Sequence, residues 1–243
     1  MTVVEHLDEL RRRLIISLAA VGIASVVGFV LYRRIFEWLL NPYRSAIEAL
    51  PARARPPGAL GQSLVATSPT EPFLTFIKIG LFTGILLALP VLLYQLWRFI
   101  TPGLTARERR YAIPFVAISV LLFAGGVVFA FAVAPRGLAF LFSFGGDSLI
   151  PLLTVDRYLS FLIFLILAFG LSFELPVVLL FLAGIRVITS AQLRRWRRYA
   201  AIGTAIFAAV ATPTQDPYTM LLMWIPLYLL YEGAILVARL MKR

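Results

Sequence analysis

One stretch constrains this chain more than any other: an apolar run from Arg157 to Ala183, RYLSFLIFLILAFGLSFELPVVLLFLA, with a carboxylate, Glu174, inside it. A span of the bilayer needs ~20 mostly apolar residues, and this run is long enough. An ionisable group at that depth costs about 2.5 kcal/mol or more, so it faces a partner, a cavity or the bundle interior. Any architecture for the chain must therefore place this run in lipid and find a use for Glu174.

The rest of the chain agrees with a membrane setting. Hydrophobic residues make up 60% of the 243 residues and charged ones 14%, too apolar for an ordinary soluble domain. There is no cysteine and one histidine, His6, which removes disulfides, thiolate catalysis, Cys-ligated metals and a His-built metal site from consideration. The net charge of +11 is read as topology rather than nucleic-acid binding, because basic residues in a membrane protein mark the side on which loops lie.

Along the chain, Val3, Leu7, Leu10 and Leu14 recur at helical spacing in a short amphipathic start, followed by Arg11-Arg12-Arg13 and a first span over 14–32. It resembles a signal peptide, yet its length and the lack of a small-residue cleavage site make it a retained span. Ala24 and Gly28 on it have the spacing of a close helix contact. Residues 33–72 leave the bilayer as two amphipathic pieces broken at Asn41-Pro42, then a Pro/Gly-rich loop. Further spans follow over 73–99 (with Pro90 and a Gly80/Gly84 face), 111–133, 157–183, 199–211 and 218–237, with a loop over 134–156. The expected architecture is a single all-α membrane domain over 1–243 with six transmembrane helices, a concave bundle whose fifth and sixth spans are short. A helix over 199–211 covers only ~20 Å against a hydrocarbon core of ~30 Å.

Six spans put both termini on one side. That side collects Arg11-Arg12-Arg13, Arg107, Arg109 and Arg110, the cluster from Arg194 to Arg198 and the terminal Arg239, Lys242 and Arg243, whereas the opposite loops are poorer in arginine. The positive-inside rule then makes both termini cytoplasmic.

Each candidate residue has a plain structural reading beside a functional one. Glu9 with Arg13, and Asp8 with Arg12, are i, i+4 helix pairs, although Glu5 repels Glu9 at the same spacing. Glu108 closes a capping box with Thr105. Alternatively Glu9 and Glu108 project carboxylates toward a common ligand, a chemistry suited to guanidinium groups, with the neighbouring arginines as competitors. Glu174 is either a structural acid of the bundle or a functional one, with Pro176 freeing backbone carbonyls beside it. Thr212, Gln215 and Asp216 read as turn and cap residues, and Glu232 as a side chain reaching the interface. No nucleophile motif or phosphate-binding glycine loop is present, so the chain reads as a non-enzyme with no cofactor.

Four motifs, HLDELRRRL at 6–14, PVLLYQLWRFITPGLTARERR at 90–110, FGLSFELPV at 169–177 and ATPTQDPYTMLLMWIPLYLLYE at 211–232, together resemble the TatC family, core subunits of the twin-arginine protein translocase. The resemblance implies a receptor for folded proteins bearing twin-arginine signal peptides, multi-pass in the bacterial cytoplasmic (inner) membrane and driven by the proton motive force. By the same resemblance Glu9 and Glu108 receive the two arginines, with Arg12, Phe99, Leu104 and Arg109 around them. Glu174, Thr212, Gln215, Asp216, Met220 and Glu232 then form an intramembrane edge for single-span TatA/TatB-type subunits. Membrane lipids and further copies in a larger complex complete the implied partners, with no nucleic acid. The competing expectation is a proton-coupled secondary transporter with Glu174 as proton carrier, which would favour an inverted repeat that the chain lacks.

Overall fold

A computed structural model describes residues 3–51, 55, 64–100, 112–143, 153–211 and 217–240. The elements named among them are helices: α1 Val3–Val30, α2 Tyr32–Glu48, α3 Glu71–Ile100, α4 Ala112–Ser143, α5 Val155–Phe173, α6 Leu175–Gly184, α7 Ser190–Arg195, α8 Arg197–Ala211 and α9 Pro217–Leu240. Helices satisfy every backbone N–H and C=O within the segment, which hydrocarbon demands. Among the described residues, five stretches are long and apolar enough to cross a membrane: Val4–Val30, Glu71–Phe99, Ile113–Ser143, Val155–Gly184 and Pro217–Leu240.

The helices differ from the expected spans in four places. The amphipathic segment is one helix, α2, which runs through Pro42 without the break expected at Asn41-Pro42. Its apolar stripe explains the continuity: Leu39, Tyr43, Ala46 and Ile47 are buried at helical spacing, and Tyr43 meets Tyr158 edge-on at 5.5 Å. Burial also pushes the Tyr43 phenol above its ordinary pKa. Likewise α4 continues through Pro135 to Ser143, where a loop over 134–156 was expected. Ala134 and Leu138 are buried, and Arg136 Nη1 donates to the Ala132 carbonyl at 3.1 Å. Packing of this turn offsets the hydrogen bond that proline removes.

The third difference is a break within the fourth span, at Glu174 itself, between α5 and α6. Pro176, in the first turn of α6, has no N–H for the carbonyl four residues back. The Glu174 N–H donates three residues back, to the Leu171 carbonyl at 3.1 Å, a tightened turn at the break. Fourth, the sixth span is not short. With 24 residues, α9 extends about 36 Å at 1.5 Å per residue. The fifth is short as expected: α8 has 15 residues, about 22 Å.

The chain forms two compact units, Met1–Leu39 with Ser68–Leu121, and Leu40–Thr67 with Leu122–Arg243. In the first, α1 lies against α3 through small residues. A Cβ on Gly28 would fall 2.6 Å from the Gly80 carbonyl oxygen, and one on Gly84 would fall 2.0 Å from Ser25 Oγ. Ser25 is buried, whereas Ala24, expected in this contact, is only half-buried.

In the second unit α9 packs on α5, α6, α7 and α8. Its core includes Ala183, Leu193, Tyr231, Ile235 and Ala238, and the Tyr231 hydroxyl donates to the Leu193 carbonyl at 2.7 Å. A Cβ on Gly126 of α4 would lie 2.6 Å from the Phe169 carbonyl oxygen of α5, so these two helices also meet backbone to backbone. One parallel bridge, Val65 with Thr154, precedes α5.

Candidate functional site

In the first unit the site is built where the start of α1 lies beside the end of α3. His6, Glu9 and Arg13 stand at i, i+3 and i+7, one face of α1. Gln95 and Phe99 stand at i, i+4 on α3. The two faces meet in antiparallel register. The His6 ring stacks on Phe99 with centroids 4.4 Å apart and an interplanar angle of 26°. Two turns further on, Arg13 Nη1 donates to Gln95 Oε1 at 2.9 Å.

Glu9 lies between these clasps. Arg13 donates to its Oε1 from Nε at 2.7 Å and also from Nη2. The side chains of Arg13 and Glu9 are 11% and 19% exposed, and Gln95 is 8% exposed. Screening by water is therefore reduced, and an added charge near Glu9 is felt more strongly than at a bare surface. The i, i+4 pair of Glu9 with Arg13 is thus formed, while Asp8 and Arg12 remain exposed. Nearby, the Arg98 guanidinium lies 5.8 Å from the centre of the Tyr94 ring, within the range of a cation–π contact.

Of the residues expected to bind the signal, Glu9 and Phe99 are brought to one place and Arg12 lies on the same helix turn. Leu104, Glu108 and Arg109 lie outside the described residues. Sequence reasoning missed His6 and Gln95. Gln95 had a usable signal, being an amide within a long apolar helix, where a polar group needs a partner.

In the second unit Glu174 ends α5 and begins α6 in ordinary helical conformation, φ −74° and ψ −18°. Its Oε1 is buried. The break lies about 28 Å along the span from Val155, deep relative to that end. Among its neighbours Ser172 is buried, and the Ser172 hydroxyl donates back to the Ala168 carbonyl at 2.5 Å.

Glu232, expected on the partner edge, is engaged within the unit: Arg197 Nη2 donates to its Oε2 at 2.6 Å and the Tyr228 hydroxyl to its Oε1 at 3.0 Å. This ties α8 to α9, together with the Trp224 indole, which donates to the Ala201 carbonyl at 3.0 Å. The Arg197 and Glu232 side chains are 49% and 27% exposed, so solvent screens the pair to about 1 kcal/mol or less. Met220 is half-buried on α9, and Thr212, Gln215 and Asp216 lie outside the described residues.

A cavity of about 790 Å³ between the end of α4 and the start of α5, lined by Leu138, Phe142, Asp156, Arg157, Phe161 and Phe164 among others, contains none of the expected site residues. No group of three or more His, Cys, Asp or Glu side chains able to hold a metal ion occurs among the described residues.

The profile of the family described as "Sec-independent protein translocase protein (TatC)" matches residues 5–226. The chain is similar to the Sec-independent protein translocase protein TatC of Frankia casuarinae, 43% identical over all of this chain and 67% of the relative. It is also similar to the protein of the same name from Aquifex aeolicus, 42% identical over all of this chain and 97% of the relative. A solved structure described as the twin arginine translocase receptor TatC superposes with a TM-score of 0.79 at 41% identity, covering 98% of this chain and all of the other. The chain carries all four motifs quoted above, and the family match and these relatives extend over nearly its whole length: it belongs to the TatC family of the twin-arginine protein translocase.

Proposed function

We propose that this translocase component is the receptor for twin-arginine signal peptides, with Glu9 and Glu108 accepting the paired arginines and Arg12, Phe99, Leu104 and Arg109 framing them. The observation that carries the reading is the state of Glu9. Its carboxylate already holds a guanidinium, that of Arg13, through two donors on one oxygen. The geometry is therefore that of a guanidinium acceptor, and a carboxylate has lone pairs for a second. The name of the matching crystal structure, a twin arginine translocase receptor, supports the same assignment.

The chain then works as the core subunit of a larger complex in the bacterial inner membrane, crossing it six times with both termini cytoplasmic. Glu174, with Thr212, Gln215, Asp216, Met220 and Glu232 nearer the fifth and sixth spans, serves the docking of single-span TatA/TatB-type subunits. A carboxyl group within an apolar span suits a polar contact with a partner helix in lipid. The proton motive force drives transport, and the chain contributes no chemistry of its own.

The test is photocrosslinking of a twin-arginine signal peptide to the protein in membranes. Glu9→Ala and Glu108→Ala should each abolish the crosslink, whereas Glu174→Ala should preserve it and impair partner crosslinking or export. Unchanged crosslinking in both Glu9→Ala and Glu108→Ala would remove the assigned site.

A further inference from the structure

The receptor reading leaves Arg13 and Gln95 without a role, yet Arg13 is bonded to Glu9 and Gln95 to Arg13. Both bonds from Arg13 fall on Glu9 Oε1, so that, among the described residues, Oε2 is the oxygen offered to a ligand. Arg13 does not hold this place by itself. Its remaining terminal nitrogen, Nη1, is anchored at 2.9 Å by the buried amide of Gln95 on the neighbouring helix. The His6–Phe99 stack clasps the same two helices on the other side of Glu9. A fixed positive charge thus stands beside the acceptor of a positively charged ligand.

Resting on the reading of Glu9 as an acceptor of signal arginine, we propose that Arg13, held by Gln95, is a specificity-determining residue that makes the site select guanidinium over ammonium. Any cation approaching Glu9 must share the carboxylate with Arg13 and accept repulsion from it in a partly buried place. A planar, weakly hydrated guanidinium offsets this with directional bonds to Oε2 and neighbouring acceptors. A lysine ammonium is a compact, strongly hydrated charge that loses more water for fewer fixed bonds. Discrimination by a built-in repulsive element is a general way to reject a near-isostere. Gln95 is the positioning residue. Without its oxygen the long Arg13 side chain can rotate toward water, opening both oxygens of Glu9 to either cation.

The experiment compares binding of two otherwise identical synthetic signal peptides, one with the arginine pair and one with lysines in its place. It uses the full-length purified protein and its Arg13→Met, Gln95→Leu, Gln95→Glu and Glu9→Gln variants. The readout is the affinity ratio between the peptides, which general loss of folded protein does not alter. The ratio should fall by about tenfold in both Arg13→Met and Gln95→Leu, the scale of one charged hydrogen bond, through tighter binding of the lysine peptide. Gln95→Glu keeps an acceptor for Arg13 and should keep the ratio. An unchanged ratio in Arg13→Met or in Gln95→Leu overturns the proposal, as does a ratio lost in Gln95→Glu. If Glu9→Gln binds the arginine peptide as the unaltered protein does, the receptor reading of Glu9 is what fails. If Glu9→Gln loses binding while Gln95→Leu keeps the ratio, that reading stands and the specificity proposal falls.

Discussion

Glu174 and Arg186 flank the two ends of α6, and each has a backbone conformation decided by a few neighbouring atoms. At Glu174 the chain keeps helical angles, and the missing N–H of Pro176 separates α5 from α6. At the other end, α6 closes with the Val187 N–H on the Leu182 carbonyl at 2.9 Å and the Arg186 N–H on the Ala183 carbonyl at 3.1 Å. That pair of bonds is a Schellman cap, whose turning residue takes the left-handed conformation usually given to glycine. Here the residue is Arg186, with φ 63°. A side chain at that angle costs about 1 kcal/mol. Arg186→Gly should therefore raise thermal stability in detergent by about 0.5–1 kcal/mol, and Arg186→Val should lower it by about 1 kcal/mol or more, since β-branched residues resist this conformation. A Tm lowered by the glycine variant would contradict the cap geometry. Nothing in the one-letter sequence announced this cap, because its usual marker, glycine, stands two residues earlier at Gly184.

Between helices, small residues decide how closely backbones approach. Gly84 and Gly28 bring α3 and α1 together in the first unit, where an added Cβ would meet Ser25 or the Gly80 carbonyl. Gly22 and Gly233 have nothing within 4 Å of the same position. The expected outcome is a contrast. Gly84→Ala should destabilise by about 1–3 kcal/mol through overpacking, whereas Gly22→Ala and Gly233→Ala should be neutral or stabilising by up to about 1 kcal/mol from helix propensity. Thermal unfolding of the purified variants checks it, and equal effects at Gly84 and Gly22 would remove Gly84 from the contact. The GxxxG spacing at Gly80 and Gly84 was legible in the sequence. That Ser25 rather than Ala24 is the residue opposite was not, because spacing gives a face and not the rotation of its partner. Prolines were misread for a related reason. Pro42 and Pro135 look like helix ends in isolation, yet both helices continue because the turns that carry them are buried.

For the molecule as a whole, the number of crossings turns on α8. At 15 residues it covers about 22 Å of a ~30 Å core, while the five other candidate stretches are long enough. Parity makes the question measurable: with six crossings the two termini share a side, and with five they do not. The chain has no cysteine, so single substitutions can be read without background. Asp8→Cys and Arg239→Cys should both resist a membrane-impermeant thiol reagent in intact cells and react after lysis, whereas Asn41→Cys should react in intact cells. Labelling of Arg239→Cys from outside would mean that α8 does not cross.

The sequence by itself determined that this is a helical membrane protein of the TatC family, because apolar run length and four ordered motifs are properties of the chain alone. It also determined that Glu9 has a guanidinium in reach, since i and i+4 meet on any helix. What only the tertiary structure decided depends on approach between segments far apart in the chain. Gln95 is separated from Arg13 by the rest of α1, all of α2, a loop and most of α3, and nothing in its own neighbourhood says that it will anchor that arginine. Phe99 likewise receives His6 only because α1 and α3 pack antiparallel in one register. Pro42 and Pro135 stay inside helices only because buried neighbours hold them there. Local rules fix which residues share a helix face, and long-range packing fixes what that face meets.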